Sequence, residues 1–325
     1  MLTNNTDIPL ALAVFFASDF YDHTEDPKTI SVTTLLKPIK QIILGMRASQ
    51  EASGTSDLSD LVASSLGTAI HDGLEKAWTS NYKKAMESLG LPEKVINNIK
   101  INPELSSLST DDIPVYLEQR STKKLLGWNV SGKFDLVLQG RVNDLKTTGT
   151  YTYIKGTNDS DYILQGSIYR WLNQDIITAD DMSILYVFTD WSALSAKTNK
   201  NYPKSKVLEK KFQLMSLAET EAYIRTKLSQ IDRLINAHES EIPDCTDAEL
   251  WRGDTQYKYY KNPEKTGRAT KNFNSMSDAQ NFLATNGHVG IIKEVKALAK
   301  RCKYCSANSI CSQRISLANA GLLAE

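Results

Sequence analysis

The order of the predicted secondary-structure elements indicates an α/β protein with a mixed sheet. Helix-period apolar patterns alternate along the chain with short β-branched runs bounded by turn residues. The predicted elements of this core are helices at 54–90 and 161–174 and strands at 113–121, 125–138, 141–148 and 182–192. A further strand near 205–215 and an amphipathic helix at 216–238 extend the same pattern. Helices that alternate with strands predict a central sheet flanked by helices.

Composition excludes several classes of protein before any motif is considered. The chain has 325 residues, a net charge of zero and 41% hydrophobic residues, which is typical of a globular protein. A nucleic-acid-binding surface would therefore be local, since no global basic field exists. No apolar run approaches the roughly 20 residues of a transmembrane helix. The N-terminus lacks a basic region before its apolar stretch, so we expect a folded helix, no signal peptide and a cytoplasmic protein.

The pattern divides into three predicted parts. Residues 1–53 form a helical N-terminal segment, and residues 54–240 form the α/β core. After Pro243 the character changes, so residues 241–325 form a separate C-terminal segment with a basic hairpin and a group of cysteines.

One predicted hairpin in the core carries unusual charges. A two-residue turn at Gln139-Gly140 places Asp135 directly opposite Asp144 on the neighbouring strand. Like charges in that position are destabilising. Lys146 follows Asp144 by two residues and therefore shares its face of the sheet. Two facing carboxylates and one ammonium indicate either an ion-pair cluster or a cation site.

These residues fall in order with three others on neighbouring elements. His71 lies on the helix before the sheet, and Gln165 and Tyr169 lie one turn apart on the helix after it. The set resembles the PD-(D/E)XK nuclease superfamily, specifically its RecB-like branch and above all the phage-encoded members. The resemblance covers roughly residues 60–190. It implies a restriction-endonuclease-like core, with a mixed central sheet flanked by helices.

The resemblance also implies a role for each residue. Asp135, Asp144 and the backbone carbonyl of Leu145 would bind a catalytic Mg²⁺ or Mn²⁺ ion, and His71 would add a ligand. Lys146 would orient or activate the attacking water and stabilise charge on the phosphate. Oxygen ligands suit such hard cations, which supply a nucleophile at neutral pH.

Three further residues of the core are candidates for a supporting role. Gln165 and Tyr169 would contact the nucleic-acid substrate beside the metal, as the resemblance implies. Glu118 is expected on the strand before the hairpin, where it either reaches the metal or is a solvated strand glutamate.

The expected function is metal-dependent hydrolysis of DNA by an exonuclease. Its biological context would be phage replication, recombination or host-DNA degradation, with partner proteins from those processes. Two alternatives remain open at this point: a non-catalytic DNA-binding or assembly subunit on the same fold, and a structure-specific or RNA-directed endonuclease.

The cysteines form a second signal. Cys302, Cys305 and Cys311 are spaced C-x2-C-x5-C, and Cys245 stands apart before them. Four thiolates can complete a four-cysteine metal site. Several RecB-like nucleases carry a 4Fe–4S cluster on one distant and three C-terminal cysteines, so the resemblance favours that cluster over Zn²⁺. In those nucleases the distant cysteine precedes the core, whereas Cys245 follows it.

The segment 256–273 is rich in lysine and tyrosine. Lysines and Arg268 interleave with tyrosines, a mixture that suits phosphate contacts combined with base stacking. The alternative interpretation is a solvated basic hairpin.

Overall fold

The computed structural model describes residues 2–18, 26–51 and 56–324. The chain divides into two compact units. The first comprises Met1–Leu36 and Ser53–Ser229, and the second comprises Lys37–Ala52 and Gln230–Glu325. The predicted boundary between residues 53 and 54 lies outside the described residues.

The strands and helices follow in chain order. The strands are β1 (Leu2–Thr3), β2 (Thr29–Ser31), β3 (Ser56–Asp57), β4 (Ile99–Ile101), β5 (Ile113–Leu117), β6 (Arg120–Leu125), β7 (Trp128–Lys133), β8 (Leu136–Leu138), β9 (Arg141–Thr148), β10 (Asp181–Phe188), β11 (Val207–Gln213), β12 (Gln256–Tyr260), β13 (Lys271–Phe273) and β14 (Ile291–Val295). The α-helices are α1 (Leu10–Ala17), α2 (Val32–Leu35), α3 (Ile39–Glu51), α4 (Leu58–Ser80), α5 (Tyr82–Ser88), α6 (Glu93–Asn98), α7 (Thr150–Lys155), α8 (Asp159–Leu172), α9 (Ala193–Thr198), α10 (Leu217–Leu234), α11 (Met276–Thr285) and α12 (Ser312–Asn319).

The first unit is built on a mixed sheet, six-stranded within the described residues, with the order β11-β10-β9-β8-β5-β4. β9 pairs with β10 in parallel and with β8 antiparallel, and β8 pairs with β5 antiparallel. Helices α4 and α8 pack against β9, and α8 also contacts β10. The predicted α/β class, with a mixed central sheet flanked by helices, is confirmed.

The hairpin at the centre of this sheet has the predicted turn. Gln139 and Gly140 both have positive φ, at 50° and 75°, as a type I′ turn requires. Leu138 pairs with Arg141, so the register continues toward Asp135 and Asp144 as the sequence predicts.

The predicted single strand 125–138 is wrong, because the chain changes sheets within it. β7 belongs to a small sheet with β2 and β6, whereas β8 belongs to the central sheet. Asp135 therefore lies in the break between β7 and β8, not in mid-strand. The predicted strand 113–121 divides in the same way, into β5 and β6. Apolar alternation continues through the break between β7 and β8, from Val130 through Phe134 to Leu136, and for that reason periodicity did not reveal it.

The apolar stripe predicted for the long helix is only partly buried. α4 begins at Leu58, which is buried, and Asp57 caps it by accepting a hydrogen bond from the Ser59 N–H. Leu66 and Ile70 recur at helical spacing in this stripe, but they are 45% and 36% exposed. Within the described residues, no helix is both long and apolar enough to cross a membrane.

The second unit contains α3, the antiparallel sheet β13-β12-β14, α11 and the C-terminal cysteines. Helix α3 buries Ile42, Ile43 and Leu44. The predicted basic hairpin is present as β12 and β13, and helix α11 and strand β14 follow it.

Candidate active site and cysteine site

Three acidic residues form a row that extends the strand pairing of β5, β8 and β9, with Glu118 and Asp135 just beyond the strand ends. The pairing of Leu117 with Leu136 continues to Glu118 and Asp135, and that of Leu136 with Asn143 continues to Asp135 and Asp144. The Glu118 N–H donates to the Asp135 carbonyl oxygen at 3.0 Å, which ties the first two together. The row therefore lies where the chain leaves and re-enters the central sheet.

Glu118 occupies a strained backbone position at this point. The sequence predicted it on a strand, but it follows the last residue of β5 and has a φ of 50°. A non-glycine residue in the left-handed region costs about 1 kcal/mol or more. Such strain persists where the surrounding structure holds it, and it clusters at functional sites.

His71 completes a compact group with Glu118 and Asp135. Each residue offers one ligand atom, and these atoms lie within 4.8 Å of one another. His71 Nδ1 lies 3.4 Å from Asp135 Oδ1 and 3.8 Å from Glu118 Oε1. The nearby carboxylates of Asp135 and Glu118 raise the pKa of His71 to about 10, against the effect of burial. One nitrogen and two carboxylates at this separation could hold a divalent cation.

Asp135 also contacts the next strand. Its Oδ2 accepts a hydrogen bond from the Leu145 N–H at 2.8 Å. This contact orients the carboxylate between β8 and β9, so Asp135 holds the hairpin and the His71 group together.

Asp144 lies outside the His71 group but beside it, and it is only 1% exposed. Lys146 Nζ lies 2.5 Å from Asp144 Oδ2, without the geometry of a hydrogen bond. Both carboxylate oxygens are therefore buried without a hydrogen bond from the described residues. Burial raises the pKa of Asp144, and nearby Asp135 adds to the rise, while Lys146 opposes it. Lys146 supplies one positive charge to this carboxylate, and the buried Oδ1, which has no hydrogen bond from the described residues, can still accept a bound cation.

Lys146 holds its proton in this environment. Burial alone would lower its pKa, but Asp144 and Asp135 prevail and the pKa of Lys146 is raised. Its ammonium also lies 5.6 Å from the ring centroid of Tyr162, on α8. Sequence reasoning did not select Tyr162.

A second cation near the row was also missed. Lys133 Nζ lies 2.6 Å from Glu118 Oε2. Lys133 lies two residues before Asp135, and residues two apart on one strand share a face of the sheet. The chain breaks after β7, however, so this alternation does not hold between Lys133 and Asp135.

Gln165 and Tyr169 are brought together but are buried. Gln165 is 8% exposed and Tyr169 is 4% exposed. The Gln165 side-chain amide donates to the Tyr169 hydroxyl at 2.9 Å. The structure thus places them one turn apart on α8, as predicted, and their contact with a substrate stays a prediction.

The four cysteines come together in the second unit as free thiols around one cavity. Burial is the main cause that raises the pKa of Cys245 to about 12, and the nearby Glu249 carboxylate adds to the rise. Burial also raises the pKa of Cys302 and Cys305, so these thiols stay protonated unless a cation binds. Lys40 and Arg301 line the same cavity. Lys40 is 3% exposed and pairs with Asp244, next to Cys245, at 2.6 Å.

Comparisons with known proteins give only distant similarities. No protein-family model and no curated protein matches the sequence. Among solved structures, SSO0001 is 16% identical, with a TM-score of 0.39 over 67% of this chain and 81% of its own. A proposed exonuclease from Eubacterium rectale is 12% identical, with a TM-score of 0.37 over 80% of this chain and 98% of its own.

A phage-related exonuclease from Haemophilus somnus is 14% identical, with a TM-score of 0.27 over 54% of this chain and 83% of its own. TM-scores below 0.5 do not support an argument from these structures, so any function has to be derived from the site itself.

Proposed function

We propose that this protein is a divalent-metal-dependent deoxyribonuclease of the RecB-like PD-(D/E)XK type, acting as an exonuclease. The observation that carries the proposal is the acidic row Glu118–Asp135–Asp144, joined by His71 on one side and Lys146 on the other. A cation site accounts for three neighbouring carboxylates at the ends of paired strands, because like charges placed side by side are otherwise destabilising.

The donor set fits a hard divalent cation such as Mg²⁺ or Mn²⁺. Carboxylate oxygens are preferred ligands of such ions, and the two buried oxygens of Asp144 have no hydrogen bond from the described residues. In this proposal His71, Asp135, Asp144 and the Leu145 carbonyl hold the metal, and Glu118 is a further ligand. When bound, the metal supplies an activated water and neutralises charge on a phosphate.

The protein's own residues orient this chemistry. Asp135 is held by the Leu145 N–H, which fixes its carboxylate toward His71. The Lys146 ammonium lies against Asp144 and stabilises negative charge that develops on a phosphate beside it. Gln165 and Tyr169 hydrogen-bond to each other on α8 and would shape the substrate side of the site.

The test is degradation of end-labelled linear DNA and of circular DNA, with and without Mg²⁺. We expect Mg²⁺-dependent loss of the linear substrate only, with Mn²⁺ substituting and Ca²⁺ supporting binding without turnover. Cleavage of circular DNA would select the endonuclease, and cleavage of RNA alone would select an RNA-directed enzyme. Binding without cleavage under any metal would select the non-catalytic subunit.

A matched pair of lysine variants assigns the activity to this site. Lys146→Ala should lower the cleavage rate about 10²–10³-fold, as expected when one stabilising charge is removed. Lys211→Ala is the control, since Lys211 is an exposed lysine on β11 of the same sheet. Equal rates for the two variants would show that the site is assigned wrongly.

For the four cysteines we propose one 4Fe–4S cluster, with Zn²⁺ as the alternative. A tetrahedral zinc ion with bonds of about 2.3 Å holds its sulfurs about 3.8 Å apart. Among the described residues, the one group of three potential ligands within 4.8 Å is that of His71, so no three cysteine sulfurs lie within 4.8 Å of one another. This spacing suits a multi-iron cluster better than one ion.

Metal analysis of anaerobically purified protein distinguishes the two. About four irons per chain and a brown colour are expected for the cluster. Colourless protein with one zinc would select the alternative, and protein without either metal would overturn the site. In both cases the ligands would stabilise the second unit.

A further inference from the structure

The small sheet of the second unit has one covered face. Helix α11 packs on it through Phe282, whose ring lies 5.1 Å from Tyr259 in an edge-to-face contact and 5.3 Å from Phe273. Ala279 of α11 is fully buried. Strand alternation places Tyr257 on the same side, so this side is the hydrophobic core of the sheet.

The opposite face carries two lysines in direct register. Lys258 of β12 pairs with Lys293 of β14, and alternation turns both away from the α11 side. Like charges opposite one another on antiparallel strands destabilise the pair. Neither lysine forms an ion pair with a carboxylate of the described residues; Lys293 Nζ instead donates to Thr266 Oγ1 at 3.4 Å.

The loop between β12 and β13 adds more positive charge beside this pair. Lys261, Lys265 and Arg268 are all exposed, and none is ion-paired within the described part of the chain. The contact between Lys293 and Thr266 brings this loop to the lysine face. Across residues 256–273, five basic residues stand against one acidic residue, Glu264, while the whole chain has a net charge of zero. The charge is therefore concentrated locally.

Two of the three tyrosines of this segment are buried and therefore not available for base stacking. Tyr259 is 2% exposed and donates its hydroxyl to the Val289 carbonyl at 2.6 Å. Tyr260 is 6% exposed, with Lys293 Nζ 5.9 Å from its ring centroid. The sequence-based expectation of base stacking is therefore wrong for Tyr259 and Tyr260, whereas Tyr257 is half-buried and lies on the α11 side. What the face presents is charge without an exposed aromatic anchor.

We propose that this lysine face, made of Lys258, Lys293 and the 261–270 loop, binds the phosphate backbone of the nucleic acid on which the enzyme acts. The inference rests on the proposed function for the identity of the polyanion. A run of phosphates removes the repulsion between Lys258 and Lys293, which no carboxylate of the described chain relieves. An acidic protein is the less suited partner, because stable protein interfaces have aromatic or aliphatic anchors at their centres and Tyr260 is buried.

Binding through charge alone has a measurable signature. Removing one lysine that binds a phosphate lowers the slope of log K against log salt by about one, and it weakens binding equally for all sequences. The double variant Lys258→Gln/Lys293→Gln should thus lower the slope by about two. The double variant Lys258→Arg/Lys293→Arg should keep the wild-type slope, because both positive charges remain. Neither double variant should lower the melting temperature, since the Gln variant removes a repulsion.

The experiment is fluorescence anisotropy on the full chain with two labelled duplexes of unrelated sequence, in Ca²⁺ in place of Mg²⁺. Lys94→Gln/Lys200→Gln is the control, because these exposed lysines of the first unit give the same change in net charge. The inference is supported if the Lys258→Gln/Lys293→Gln variant lowers the salt slope by the same amount on both duplexes and the control variant does not lower it. An unchanged slope, or an equal decrease in the control, would overturn the inference.

A competition arm tests the other partner. If polyglutamate binds the wild type and loses affinity in the Lys258→Gln/Lys293→Gln variant while DNA binding is unaffected, the face recognises an acidic protein and the inference is wrong. Cleavage is read separately in Mg²⁺. If the wild type cleaves DNA but the Lys258→Gln/Lys293→Gln variant keeps the wild-type salt slope, this inference alone is wrong. If the variant lowers the salt slope but the wild type does not cleave DNA, the proposed function alone is wrong.

Discussion

The affinity of the active site for a divalent metal should rise steeply with pH. In the metal-free protein the pKa of His71 is about 10, because Asp135 and Glu118 hold its proton. A metal can bind the imidazole only after that proton has left. At pH 7 about one His71 in a thousand is neutral, so displacing the proton costs about 4 kcal/mol. Each added pH unit raises the neutral fraction, and hence the apparent affinity, about tenfold below pH 10.

Isothermal titration calorimetry with Mn²⁺ between pH 6.5 and 8.0 measures this effect. We expect about a 30-fold gain in affinity across that range and, in buffers of different ionisation enthalpy, release of about one proton per Mn²⁺. His71→Gln should flatten the pH dependence, whereas His238→Gln, which changes an exposed histidine outside the group, should retain it. A gain below about threefold, or the wild-type slope in His71→Gln, would refute the assignment of His71 as a ligand.

Three further predictions, one of them with a matched control variant, test other parts of the structure. Asp144→Asn should abolish DNA cleavage with an unchanged near-UV circular dichroism spectrum, and residual cleavage near the wild-type rate would remove Asp144 from the site. Gly166→Ala should destabilise the protein by about 1–3 kcal/mol in urea, because a β-carbon there would collide with the buried Met182 sulfur. Gly67→Ala, with open space around it, should be neutral or stabilising; equal effects of the two would contradict the close contact of α8 with β10. Cys302→Ser should lose the bound metal and make the segment after Pro243 protease-sensitive while the central sheet stays resistant; an unaltered proteolysis pattern would show that the cysteines have no structural role.

The core elements were predictable because their apolar spacing is regular. The helix at 161–174 and the strand at 182–192 correspond to α8 and β10 within a few residues at each end. The turn at Gln139-Gly140 was predictable from local chemistry, since glycine tolerates the positive φ that such a turn needs. The register of the hairpin follows from that turn, from Leu138 opposite Arg141 to Leu136 opposite Asn143.

The sequence alone also identified the candidate residues of the active site, from their residue types and their order along the chain. Carboxylates, a lysine and a histidine on successive elements are local features of the sequence. These local features do not give the distances between the side chains, because those distances depend on how helices and sheets pack.

Only the tertiary structure decided how these residues are used. The chain changes sheets at Glu118 and again at Asp135, and this crossing, which no local pattern marks, brings Glu118 to His71 and Asp135. Burial, which depends on the whole fold, leaves both oxygens of Asp144 without a hydrogen bond from the described residues. It likewise hides the rings of Tyr259 and Tyr260, because a side chain's exposure is set by what packs over it and not by its neighbours in the sequence.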